Sequence, residues 1–304
     1  MDNLRPNAIL TALLTVLALI AFAANSILCR LALGESSIDP ASYTAIRLVS
    51  GALTLWIIAA CRRQATIAKT ASSWMPATML FLYAVTFSFA YVNLSAGTGA
   101  LILFASVQIA MIGLGLYSGE RPYILEWLGL IIAVGGLCYL VSPGITAPSP
   151  LGSFLMASAG VAWGYYSVAG RGNIDPVGAT AHNFLRAAPL SLIAGLIWLP
   201  SLSISSIGVF WAILSGSLSS GVGYVIWYGA LRGLGMTQAA TVQLSVPVIA
   251  ALGGVVFLSE ALGMRLIVST VVILGGVGMA VFSRATPLKQ SAGFFDTVKT
   301  SFKE

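Results

Sequence analysis

Charge is what this chain has least of. Lys, Arg, Asp and Glu make up 8% of its 304 residues, against about a quarter in soluble domains. That is too little polar surface to clothe a water-soluble globule of this length. Histidine occurs once, as His182. With no His/Glu set at metal spacing and no Gly-x-Ser-x-Gly elbow, the usual metallohydrolase and serine-hydrolase constellations are excluded. Cysteine occurs three times, at Cys29, Cys61 and Cys138. An odd count inside apolar runs, without Cys-x-x-Cys spacing, excludes a disulfide framework or a redox pair and leaves small packing residues. The net charge of +6 comes from scattered basic residues that build no aromatic-interleaved patch, so nucleic acid is not an expected partner. No metal or other cofactor is expected either.

What the chain has in abundance is apolar sequence, with 58% hydrophobic residues and a mean hydropathy of +0.94. About 20 mostly apolar residues, rising 1.5 Å each, cross the roughly 30 Å hydrocarbon core of a bilayer. Ten stretches qualify: 8–33, 41–61, 74–94, 98–117, 123–141, 151–170, 177–199, 207–231, 238–258 and 262–282. Short links such as Ser118–Pro122 make neighbouring spans antiparallel hairpins. In the first stretch, Ile9–Ile20 followed by Ala21-Phe22-Ala23 imitates a signal peptide with its cleavage site. The apolar run continues to Leu33, however, and reads as a span.

Lys and Arg favour the cytoplasmic ends of spans. With the N-terminus inside, eleven of them lie on the cytoplasmic side, among them Arg62, Arg63, Lys69 and Arg121, and only Arg30 and Arg265 lie outside. Both termini are expected in the cytoplasm, and the protein in a plasma membrane, the bacterial inner membrane. Arg47 and Arg186 fall within spans and stand outside that count.

A repeat underlies the ten spans. Residues 237–277 copy residues 97–137: Glu260 answers Glu120, Gly275-Gly276 answers Gly135-Gly136, and Gly253 answers Gly113. Glu carries the weight, because the chain uses it only five times. Five spans per half is an odd number of crossings, so the halves are inverted, a recurring design of secondary transporters. Ile38-Asp39-Pro40 and Ile174-Asp175-Pro176 open matching spans, with Asp as cap and Pro at the first helical position. Glu120 and Glu260 precede or begin helices, where a carboxylate complements the positive dipole end; pairing with Arg121 or Arg265 as a gate is the other reading.

Two five-span halves, each with a Glu-bearing hairpin (Ser118-Gly119-Glu120-Arg121, Leu258-Ser259-Glu260-Ala261) and a Gly-Gly helix, resemble the drug/metabolite transporter superfamily in its EamA-type branch. Arg47, in Ala45-Ile46-Arg47-Leu48, resembles the arginine that the family often carries in its second helix. Pro247 matches the proline often found in its ninth, while Val107 stands at the corresponding place in the fourth. The expected fold is an all-α membrane protein of ten transmembrane helices, in two inverted five-helix repeats around a central cavity. The repeats are residues 1–142 and 143–284. Residues 285–304 form a cytoplasmic tail, with Phe294, Phe295, Val298 and Phe302 on one face of an interfacial amphipathic helix.

The resemblance implies that helices one to four and six to nine surround the cavity, with five and ten bracing it. Asn25, Arg47, Tyr83, Trp163, Tyr165, His182, Arg186, Tyr224, Trp227 and Gln243 all lie on those cavity helices. Arg47 and Arg186 are charges deep in spans, which usually face a wet cavity or a partner; each can hold a substrate carboxylate or serve backbone carbonyls and the interface. His182 suits proton coupling or a hydrogen-bonded structural place. The aromatic residues, Trp163 foremost, can stack on an apolar, aromatic or cationic substrate. No carboxylate lies deep in the cavity helices, which argues against a buried acid that exchanges protons for cations. The expected activity is export of small metabolites, amino acids first and organic cations or nucleosides second, rather than enzymatic. The expected partners are a small-molecule substrate and membrane lipid, with the monomer as the working unit.

Overall fold

A computed structural model describes residues 8–34, 37–61, 74–117, 124–142, 144, 147–170, 175–231, 233–234 and 242–283. Ten helices carry them: α1 (Ala8–Leu33), α2 (Pro40–Cys61), α3 (Met75–Tyr91), α4 (Ala96–Tyr117), α5 (Ile124–Val141), α6 (Pro150–Ala169), α7 (Pro176–Ile197), α8 (Ser206–Leu231), α9 (Val246–Leu258) and α10 (Met264–Ser283). Four of these, α1, α2, α4 and α8, are long and apolar enough to cross a bilayer on length and hydropathy alone. The tail 285–304, Glu120 and Arg121 lie outside the described residues.

Helices are the only open-ended elements that satisfy their own backbone in lipid, and the hydroxyls here follow the same rule. Thr15, Ser88, Ser158 and Thr270 each donate to the carbonyl four residues back, at 2.6 to 2.9 Å. Helix starts are marked as the sequence predicts. Asp39 Oδ1 accepts from the Ala41 and Ser42 amides at 3.0 and 2.9 Å, and Asp175 Oδ1 accepts from Gly178 N at 3.0 Å.

The bundle is arranged inside out relative to a soluble protein. Large apolar side chains such as Ile131, Leu192, Leu196 and Val256 are exposed, while Arg47, Ser215, Ser219 and Ser220 are buried. Such an exterior is at home only against lipid.

The principal interfaces come in matched pairs when each helix is exchanged for the one five places on. α1 packs on α8 as α6 packs on α3; α1 meets α9 as α6 meets α4; α2 meets α8 as α7 meets α3. α2–α7, α4–α9 and α5–α10 pair with their own counterparts. The Gly-Gly motif explains the last of these. A Cβ on Gly276 would lie 2.6 Å from the Gly129 carbonyl oxygen, and one on Gly136 would lie 2.9 Å from Ile273. Each matched glycine therefore lets one brace reach the other's surface.

Two spans depart from the simple reading. The expected ninth span, 238–258, is broken: Val242 and Gln243 are helical, Leu244 and Ser245 form a turn, and α9 starts at Val246 with Pro247 in its first turn. Proline supplies no N–H and clashes with the carbonyl four residues earlier, whereas α4, with Val107, runs unbroken. The eighth span is continuous but π-helical over Ser215–Val222.

Candidate functional site

The π-helical run lies where α8 crosses α2. A Cβ on Gly216 would strike the Arg47 carbonyl and the Ser50 hydroxyl, so glycine lets the two backbones touch. Rings closed between residues five apart bring positions four and five apart to one face. Ser215, Ser219 and Ser220 accordingly all point inward, each 2% exposed or less.

Arg47 meets this hydroxyl face. It is 2% exposed; its Nε donates to Ser220 Oγ at 3.3 Å and its Nη2 to Tyr83 Oη at 3.2 Å. The guanidinium also lies 5.3 Å from the Tyr83 ring centre and 5.0 Å from that of Phe87, within cation–π range. Asn25 Nδ2 donates to the same Tyr83 oxygen at 3.2 Å. Ser215 Oγ donates to Asn25 Oδ1 at 2.6 Å, and Tyr43 Oη donates to Ser215 Oγ at 2.8 Å. One polar network thus joins α1, α2, α3 and α8.

Over the network stands an aromatic wall. Trp163 has Tyr83, Tyr166 and Tyr224 around it, ring centres 4.9, 5.3 and 5.3 Å away. Phe22 meets Tyr224 and Trp227 edge-on at 5.9 and 5.6 Å. Between network and wall lies a cavity of about 20 Å³, room for roughly one water molecule. Asn25, Tyr83, Trp163, Ser219, Ser220 and Tyr224 line it, with Phe22, Ser26, Phe87, Leu103 and Phe104. Its walls come from α1, α3, α4, α6 and α8.

The structure brings together Asn25, Arg47, Tyr83, Trp163 and Tyr224, with Trp227 one ring further out. It does not bring the others there. Arg186 is half-buried with its guanidinium 5.3 Å from the Trp74 ring. His182, Tyr165 and Gln243 are half-buried and Pro247 is buried, all away from the lining. The serines of the π-helical run were missed. Their signal was present in Ser215-Gly216-Ser217-Leu218-Ser219-Ser220-Gly221, the most hydroxyl-rich stretch of any span.

Glu260 occupies one end of the molecule. Its carboxylate pairs with Arg30, Nε to Oε1 at 3.3 Å, and accepts from the Ala96 amide at 3.0 and 2.8 Å. It therefore caps α4, while Arg30 Nη1 also donates to the Tyr91 carbonyl at 2.9 Å. The alternative partner Arg265 is engaged elsewhere, donating to the Ser142 carbonyl at 2.8 Å. The cause is the hairpin itself: Ser259 takes a left-handed φ of 52°, and the Glu260 amide turns back to the Gly254 carbonyl. The same face carries a second tie. Ile38 and Ile204 form an antiparallel bridge, and Asp39 Oδ2 accepts from Ser203 N at 3.3 Å.

Residues 9–142, and again 150–282, match the EamA-like transporter family. An uncharacterised protein of Pseudomonas aeruginosa is 48% identical over 90% of this chain and 95% of its own. The threonine/homoserine exporter RhtA of Salmonella typhimurium is 25% identical over 65% of this chain and 72% of its own. A crystal structure superposes with a TM-score of 0.67 at 18% identity, covering 91% of this chain and 99% of that one.

Proposed function

The chain belongs to the EamA-like transporter family, and from that premise we propose that it exports amino acids with aromatic or other neutral side chains. The halves are residues 1–142 and 143–284, and transport proceeds by alternating access between them. Membership makes it an integral membrane transporter rather than an enzyme.

The observation that carries the substrate reading is Arg47, a buried guanidinium set beside an aromatic wall. A carboxylate matches the first and an apolar side chain the second. An organic cation would bring a second positive charge beside Arg47, which ranks that class behind amino acids. The relative RhtA is a threonine/homoserine exporter, which supports the same class. A cavity of about 20 Å³ is far below the roughly 300 Å³ at which ligand pockets begin, so this conformation is closed and substrate enters when helices part. The charge bias supports a cytoplasmic position for both termini, with the Glu260 face outside and the Arg30–Glu260 pair as an outer latch. The proposed working unit is a monomer in the bacterial inner membrane, with the described lining of the cavity drawn from five of its helices.

Flux into proteoliposomes tests this, with labelled neutral amino acids, nucleosides and organic cations, each with and without a pH gradient. Saturable amino acid flux is the expected result. A folded, correctly inserted preparation that moves none of the amino acids sinks the substrate reading; one that moves nothing sinks the export reading with it.

A further inference from the structure

Arg47 lies behind the cavity lining, hydrogen-bonded to the lining residues Ser220 and Tyr83. The charge balance around it narrows what the cavity recognises, an inference that rests on reading that cavity as the transport site. A guanidinium offers five N–H donors and accepts nothing. Nε and Nη2 are used on Ser220 and Tyr83, while Nη1 is buried without a hydrogen-bond partner among the described residues. Ser219 Oγ, which lines the cavity, is buried without one as well. Nor does Arg47 have a counter-ion among the described residues. Asp39 is spent on the start of α2 and on Ser203, Asp175 on the start of α7, and Glu260 on Arg30 and α4. An unpaired charge within a membrane span is costly, and a bound anion offsets that cost.

An ammonium group finds no such welcome. The lining presents ring faces, hydroxyls and one carboxamide, but no carboxylate among the described residues. A zwitterion leaves the site with one net positive charge, whereas a simple carboxylate leaves it neutral.

We infer that the site recognises its substrates by a single carboxylate, bound by Arg47 and Ser219, with an apolar tail against Trp163 and Tyr224. The α-amino group is dispensable. Deaminated monocarboxylates are ligands of the same site, and decarboxylated amines are not.

The test uses the full chain in lipid nanodiscs and three probes that share one ring: phenylalanine, 3-phenylpropionate and 2-phenylethylamine. Calorimetric titration is expected to show phenylpropionate binding at least as tightly as phenylalanine, and phenylethylamine roughly tenfold or more weaker. Arg47→Gln weakens both carboxylates by a similar factor and does not weaken the amine. Ser219→Ala, which keeps the charge and covers the case in which the arginine variant fails to fold, weakens the same two several-fold. Phenylethylamine binding as tightly as phenylalanine overturns the inference. So does phenylpropionate binding tenfold more weakly than phenylalanine, and so does the absence of binding by all three. Amino acid flux that persists while phenylpropionate is excluded overturns it without touching the transport reading; loss of all flux removes both.

Discussion

Trp163 sits in the middle of α6 with three tyrosine rings around it, and aromatic pairs are worth about 0.5 to 1.5 kcal/mol each beyond their buried area. Trp163→Ala is therefore expected to lower the affinity for an aromatic substrate about tenfold, with a smaller effect on a short aliphatic one. Titration of both substrates against both proteins checks it; an equal loss for the two would make Trp163 a packing residue. At this scale the sequence was legible where chemistry was anomalous. A charge at Arg47 and an indole far from either interface stand out in any apolar span. What stayed hidden was which partners they met, because Tyr83 and Ser220 lie 36 and 173 positions from Arg47. Arg186 is equally anomalous in sequence, yet its guanidinium lies over Trp74, so depth along a span did not tell which way the side chain turned.

Helices were the easiest elements to read, since the thickness of a bilayer sets their length and a short link sets their direction. Their irregularities were harder. The break before α9 follows from Pro247, a residue with a fixed backbone and no amide hydrogen. The π-helical run in α8 has no comparable marker, only a cluster of serine and glycine that an α-helix also tolerates. The bracing role of α5 and α10 was implied by the family resemblance, and their close approach falls at Gly136 and Gly276, one glycine of each Gly-Gly pair. Gly276→Leu is expected to overpack that contact at a cost of about 1 to 3 kcal/mol, lowering the melting temperature. Since no described residue of α5 or α10 lines the cavity, substrate affinity per folded molecule is expected to stay unchanged. Thermal unfolding and titration of the same sample separate the two effects.

For the whole molecule, the inverted arrangement and the proposed latch at the Arg30–Glu260 ion pair meet in one expectation: the cavity opens to one face at a time, and the ion pair holds one of those openings shut. Glu260→Gln removes the ion pair and weakens the α4 cap. Hydrogen bonds to charged groups are worth about 1.5 to 3 kcal/mol, so the variant shifts the population toward opening at the Glu260 face by roughly tenfold or more. The most direct measurement places one cysteine at Leu103, on the cavity wall, in a chain with Cys29, Cys61 and Cys138 replaced, and times its reaction with a membrane-impermeant thiol reagent added to each face in turn. The expected result is slow labelling from the Glu260 face, speeded by Glu260→Gln as labelling from the opposite face slows, with substrate protecting from both. Labelling from neither face, or equal rates from both that neither the variant nor substrate changes, would contradict alternating access to this cavity.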